Sequence, residues 1–274
     1  MIIKVLKKPH LIRHNIEQLL GFSEEKKIKK YIKTKKIVWH FATPKSASSF
    51  LAKIIIKKLN SVYVNFKNDE NNSYQSFNSY RFYNNIKKFD FFFPKNHFFY
   101  TGHSHTIFDD YIKKFLSSNH ILLIQFRCIY LTIESLLQYL IEDNLVTGQQ
   151  FFYEINKNLK KNKILDKLIS AYTVFHINFL KSWLVSEVPC KRVIIPYKKF
   201  TEKPDYFLEK IYFKDSNLFY KFKDDFSDQE KKYKQGHSRK ITLSSTNIKR
   251  IDNIINSLLS TEEKKIMKGY LYHC

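Results

Sequence analysis

An α/β fold in three layers is predicted, with a central, mainly parallel sheet flanked by helices. Three observations predict it. Ile121 to Phe126 reads as one apolar run of the length of a strand buried on both faces. Short apolar runs of this kind alternate with longer amphipathic stretches along the chain, the pattern of βαβ units. A hydrophobic content of 43%, with 16% aromatic residues in a chain of 274, supplies enough material for a large core.

The elements follow in order. Residues 1–35 form a Lys-rich lead-in with Ile12, Ile16, Leu19 and Leu20 at helical spacing, read as an accessory helical element. His10 and His14 stand one helical turn apart, but no third ligand is near, so a solvated helix face is expected rather than a metal clamp. Ile37 to Ala42 reads as the first strand, Thr43 to Ser49 as a tight loop, Phe50 to Leu59 as a helix and Val62 to Phe66 as a second strand. Lys67 to Phe93 shows no dominant period and reads as an irregular insertion with some helix. His97 to Thr101 reads as a strand ending in Gly102-His103-Ser104-His105, with a helix from Ile107 to Leu116. After the buried strand come Arg127, a helix from about Tyr130 to Leu145, and a long helical region to Leu184. A strand at Val193 to Ile195, a short helix near Asp205 to Tyr212, a basic segment from Lys231 to Lys240 and a last helix from Ser245 to Leu259 complete the chain. No internal repeat and no Pro- or Gly-rich linker divides it, so residues 1–274 read as a single domain.

Composition narrows the classes. The chain carries 48 Lys and Arg against 25 Asp and Glu, a formal charge of +23, which attracts nucleic acid, anionic lipid or a polyanionic ligand. Abundant Lys, Asn, Ile, Phe and Tyr beside scarce Gly and Pro equally express a general compositional bias, and net charge alone names no specific partner. Only six of the 48 basic residues are Arg, so an arginine marks a place that needs a planar fork. No apolar run reaches the roughly 18 residues of a membrane span, and no signal-peptide pattern opens the chain. Cys128, Cys190 and Cys274 stand far apart without CxxC spacing, which suggests neither a disulfide framework nor a cysteine zinc site. A soluble protein of a reducing, cytoplasmic compartment is the expectation.

Two features carry chemistry. Strand, tight loop and helix is how α/β proteins hold phosphate, because the first helical amides are unpaired donors at the positive end of the dipole. Here Ser46, Ala47, Ser48 and Ser49 are small enough for close backbone approach, and Lys45 adds a charge beside them. The P-loop pattern GxxxxGK[ST] is not met, since the loop has no glycine and Lys45 precedes the small residues. Arg127 stands at the carboxyl end of the buried strand, where open parallel sheets bind ligands, and Ser135 follows eight residues later on the next helix. An Arg fork and a hydroxyl suit a terminal phosphate.

These residues resemble the PAPS-dependent sulfotransferases. That family carries a 5′-phosphosulfate loop of the form T-x-P-K-S-G-T-T-W, and this chain has Ala42-Thr43-Pro44-Lys45-Ser46-Ala47-Ser48-Ser49-Phe50. Its 3′-phosphate motif is an Arg directly after a buried strand with a Ser eight positions on, matched by Arg127 and Ser135. A strand ending in Tyr before a short helix with a nearby Pro is matched by Val193 to Tyr197 and Pro204, and a late basic loop with Gly by Lys231 to Lys240. The resemblance covers about residues 36–240. Ala47 departs from Gly, Ser48 and Ser49 from the Thr pair, Phe50 from Trp, and Cys128-Ile129 from the Asp-Pro that usually follows the Arg.

The resemblance implies a P-loop-like sulfotransferase architecture. It also implies transfer of a sulfuryl group from PAPS to a hydroxyl or amine, with PAP as product and no metal. It assigns Lys45 and the loop residues Ser46 to Ser49 to the 5′ end, and Arg127, Ser135, Arg239 and Lys240 to the 3′-phosphate. Phe50 and Tyr197 fall to the adenine. The family's general base is a His after a central strand, which makes His103 the first choice and His105 the alternative. The partner is then a small-molecule or glycan acceptor, with no specific nucleic acid. Acceptor identity and oligomeric state stay open, as do two rival readings: a P-loop kinase or NTPase, and a non-catalytic basic nucleic-acid-binding protein.

Overall fold

The computed structural model describes residues 16–17, 19–58, 61–64, 77–92, 98–107, 110–142, 160–208, 210–211 and 241–272. Within them the chain is α/β, with a five-stranded, all-parallel sheet flanked by helices. The strands are β1 (Ile37–Ala42), β2 (Val62–Tyr63), β3 (Phe99–Ser104), β4 (His120–Phe126) and β5 (Lys191–Pro196), and they lie in the order β2-β3-β1-β4-β5. Every residue of β1 and β4 is buried, which is why both read as apolar runs instead of alternating patterns.

Alternation along the strands divides the core in two. Trp39 and Phe41 of β1 and Leu122, Ile124 and Phe126 of β4 face the larger cluster. That layer is built by α1 (Glu25–Lys33), α3 (Ser79–Phe92), α5 (Ile129–Glu142), α7 (Thr173–Val185), α10 (Ser245–Leu258) and α11 (Thr261–Leu271). Val38, Ile121, Leu123, Val193 and Ile195 face the smaller cluster, covered by α2 (Ser48–Lys58), α8 (Tyr197–Glu202) and α9 (Pro204–Leu208). Two further short helices are α4 (Asp110–Lys113) and α6 (Lys161–Lys167), and a π-helical turn, Leu168–Tyr172, joins α6 to α7.

Several sequence expectations change in detail. The lead-in is no mere accessory: Ile28 and Ile32 of α1 are fully buried in the larger cluster. Much of the insertion is helical, as α3. β3 does not stop at Thr101 but runs through His103 to Ser104. The reason is Gly102, whose φ of +69° makes a bulge where the register with β1 shifts while the pairing continues. A side chain there would also meet the Tyr63 ring, with its Cβ 2.6 Å away. A further helix, α11, follows the one expected to be last. Its start is marked by a capping box in which Ser260 accepts from the Glu263 amide and Glu263 from the Ser260 amide. The pair His10 and His14 lies outside the described residues.

Cys128 corrects the reading of the cysteines, for it is disulfide-bonded, while Cys190 is free and buried. Spacing rules detect local pairs, whereas here the fold brings the C-terminal helix to the start of α5. Phe126 and Tyr270 pack edge to face at 5.4 Å, and Tyr130 lies 5.8 Å from Tyr272. Disulfides persist in oxidising compartments, so the cysteines no longer argue for a reducing one. Among the described residues no helix is long and apolar enough to cross a membrane.

His120 joins three elements. Trp39 Nε1 donates to its Nδ1 at 3.1 Å, and its Nε2 therefore carries the proton and donates to the Ile32 carbonyl at 3.2 Å. Burial pushes its pKa down to about 4, and that of His176 in α7 to about 3. Below the ordinary value of 6.5 the unfolded chain takes up protons that the folded chain refuses, so stability present at neutral pH is lost as pH falls through this window. Each ring contributes about 1.4 kcal/mol per pH unit. Urea denaturation between pH 6.5 and 4.5 should show this loss. His120→Gln, which keeps an acceptor for Trp39 and a donor for Ile32, should make the slope shallower by about 1 kcal/mol per pH unit; an unchanged slope refutes the assignment.

Candidate functional site

The loop after β1 is the centre of the site. The Thr43 amide donates to the Gln125 carbonyl at 2.8 Å, which ends the β1 to β4 ladder, and the chain then turns through Pro44 to Ala47 into α2. Lys45 and Ala47 both hold positive φ, 59° and 64°. Neither is glycine, so the turn stores about 1 to 2 kcal/mol at each. Ser46, fully buried between them, donates from its hydroxyl to the Thr43 carbonyl at 2.6 Å. The Phe50 and Leu51 amides both donate to the Ala47 carbonyl at 3.1 Å, which opens α2. A loop that leads into the start of an eleven-residue helix is an arrangement able to hold an anion.

Arg127 meets this loop from β4. It is only 3% exposed, and its amide donates to Thr43 Oγ1 at 3.3 Å. One arm of its guanidinium reaches the Lys45 carbonyl at 3.4 Å, and the plane lies over the Tyr197 ring, 4.4 Å from the centroid. Pairing of Phe126 with Pro196 in the β4 to β5 ladder sets Arg127 beside Tyr197, the first residue of α8. Strand pairing thus fixes both partners of the arginine.

From α5, Thr132, Ser135 and Tyr139 fall on one stripe, at i, i+3 and i+7. The Lys45 ammonium sits 4.4 Å from the Tyr139 ring centroid, so this stripe faces the loop and Ser135 lies on it. Tyr172 is fully buried in the larger cluster. Burial holds its phenol far above the usual range, with the Thr43 and Thr132 side chains and the Arg127 charge pulling the other way. His176 Nδ1 lies 3.2 Å from its hydroxyl.

The third wall is β3. His103 stays on the strand, with its ring 6.0 Å from His40 and 5.4 Å from His105. His105 lies just beyond β3, and its Nδ1 makes a short bond to the Ala42 carbonyl, at the threshold of the loop. A carbonyl only accepts, so Nδ1 carries a hydrogen, and in the neutral ring the lone pair is on Nε2.

The structure therefore brings together Lys45, Ser46, Ala47, Ser48, Ser49, Arg127, Ser135, Tyr197, His103 and His105. It does not bring Phe50, whose buried ring packs against Phe200 in the smaller cluster at 5.8 Å. Arg239 and Lys240 lie outside the described residues. Just after them, Leu243 donates its amide to Glu134, the neighbour of Ser135, at 2.7 Å, and the Thr242 hydroxyl donates to the same oxygen. Sequence reasoning missed His40, Gln125, Tyr139 and Tyr172. His40 and Gln125 left a signal, each a polar residue within a buried apolar strand.

Strain at Ala47 gives a direct test. Ala47→Gly relieves the positive φ while adding unfolded-state entropy, and should raise stability to urea by up to about 1 kcal/mol. Destabilisation of the size seen for glycine in ordinary helices would show that the loop does not hold this conformation.

Comparison with protein-family models, with curated proteins and with solved structures finds no match to this chain. What the site does must follow from its own residues.

Proposed function

We propose that the protein is a PAPS-dependent sulfotransferase, built on the P-loop-like architecture of that family, which moves a sulfuryl group to a hydroxyl or amine of a small-molecule or glycan acceptor. The observation that carries the proposal is the meeting of Arg127 with the Lys45 loop at the carboxyl ends of the two central strands. It supplies two cationic anion sites side by side, as a nucleotide phosphorylated at both ends requires. The all-parallel order β2-β3-β1-β4-β5 supports the same reading, since ligands of such sheets bind where the winding reverses.

The roles follow from position. Lys45 and the amides of Ser46 to Ser49 hold the 5′-phosphosulfate and stabilise the charge that grows on the departing phosphate. Arg127 and Ser135 hold the 3′-phosphate, and the family resemblance adds Arg239 and Lys240 to them. Tyr197 backs the Arg127 fork and offers its ring toward the base. In the transfer, the acceptor oxygen or nitrogen bonds to sulfur, the bond from sulfur to the phosphate oxygen breaks, and the acceptor proton passes to a histidine. Of the two candidates, geometry favours His105 over His103, because the Ala42 carbonyl holds it in the tautomer whose Nε2 accepts a proton.

Calorimetric titration with PAP, ADP and ATP, with and without magnesium, tests the reading. PAP should bind without metal about tenfold to a hundredfold more tightly than ADP, and Arg127→Ala should remove most of that preference. Equal affinity for PAP and ADP refutes it. ATP binding that needs magnesium would point to a kinase or NTPase, and oligonucleotide affinity falling steeply with salt to a nucleic-acid-binding protein.

The base is tested separately, with an acceptor found by screening for PAPS consumption. His105→Ala should lower turnover about 100-fold to 10,000-fold with PAP affinity nearly unchanged. If His103→Ala abolishes turnover and His105→Ala does not, the assignment moves to the residue on the strand.

A further inference from the structure

Behind the loop, on the sheet face covered by α2 and α8, three buried polar side chains stand in line. His40 of β1 lies between Tyr100 of β3 and Gln125 of β4. Its Nδ1 is 2.6 Å from the Tyr100 hydroxyl and its Nε2 2.9 Å from Gln125 Oε1. Gln125 Nε2 then donates to the Ser46 carbonyl at 2.7 Å. His40 and Gln125 are fully buried, as are Tyr100 and Ser46.

The directions of these bonds are fixed by what each atom can do. The Ser46 carbonyl only accepts, so the Gln125 amide must present its NH2 to it and turn Oε1 toward His40. An amide oxygen also only accepts, so His40 Nε2 carries a hydrogen. In the neutral ring Nδ1 is then the lone pair, and Tyr100 donates to it. All four groups are satisfied in a single sense, running from β3 across β1 and β4 into the loop.

Ser46 is where such support is needed, because it sits between two non-glycine residues at positive φ. Its hydroxyl is anchored on the Thr43 carbonyl and its own carbonyl on Gln125, so the residue is held at one end within the loop and at the other from the sheet. We infer that Tyr100, His40 and Gln125 are positioning residues that hold the loop in its anion-binding form before any ligand arrives. The inference rests on reading that loop as the cradle of the 5′-phosphosulfate.

Nuclear magnetic resonance of the unliganded protein, supplemented by PAP titration, decides it. Long-range proton–nitrogen correlation should show the His40 ring as neutral with hydrogen on Nε2. Gln125→Glu keeps an acceptor for His40 but, while ionised, cannot donate to Ser46. It should shift the amide signals of Ser46 to Ser49, leave the Trp39 indole signal unchanged, and weaken PAP binding about tenfold. A His40 ring with hydrogen on Nδ1 alone, or a charged ring at neutral pH, overturns the inference. So does Gln125→Glu with loop amides and PAP affinity unaltered. If that variant does not fold, the ring pattern of the unmutated protein still decides. If the unmutated protein does not bind PAP, the sulfotransferase reading falls, while the ring pattern and the loop amides judge the hydrogen-bond chain on their own.

Discussion

The bond from the Thr43 amide to the Gln125 carbonyl is the last rung between β1 and β4, the two strands at the centre of the fold. The chain leaves β1 toward β2 at one edge of the sheet and leaves β4 toward β5 at the other. A crevice therefore opens at their carboxyl ends, because the two connections part there. A shift of one residue in that register would move Arg127 away from Thr43 and Lys45, and would turn Trp39 and Phe41 out of the larger cluster. Buried packing on both faces prevents the shift, so the same constraint that stabilises the sheet also assembles the site.

Strain and support are paired across that seam. Lys45 and Ala47 occupy a backbone region that disfavours side chains, and glycine would relieve it. Instead, the buried polar groups of three adjacent strands meet the loop from below. Unsatisfied polar groups at such depth would each cost about 1 to 3 kcal/mol, so hydrogen-bonding through the loop stabilises both partners. On the opposite face, the buried Tyr172 hydroxyl meets His176 Nδ1 at 3.2 Å, from a π-helical turn of the kind that recurs near functional positions.

What the sequence made legible was whatever depended on apolar runs and chain order. The Ile37 to Ala42 and Ile121 to Phe126 runs placed β1 and β4, and the residues just after them placed the Lys45 loop and Arg127. Polar groups inside those runs stayed hidden. His40 and Gln125 were read through as strand, since their partners lie 60 to 85 residues away and appear only when the strands pair. Gly102 was taken as a stop because a glycine in a strand pattern marks either an end or a bulge, and only pairing with β1 tells which. The anchoring of His105 likewise depends on the Ala42 carbonyl, a backbone group that no side-chain pattern reveals.

Arginine shows how far residue type alone can carry a functional reading. Four of the six arginines lie among the described residues, and three serve the scaffold. Arg81 grips Glu17 through two nitrogens, Arg192 forks onto the carbonyls of Leu184 and Ser186, and Arg250 pairs with Asp166. Arg81 and Arg192 use the planar fork that a lysine lacks, so a fork by itself points to geometry and not to a ligand. Arg127 differs in where the sheet puts it: buried at the carboxyl end of a central strand, against a loop of donor amides. A guanidinium is costly to bury, and the fold bears that cost at the position where a phosphate would return most of it. Location in the topology, more than the identity of the side chain, is what separates this arginine from the other three.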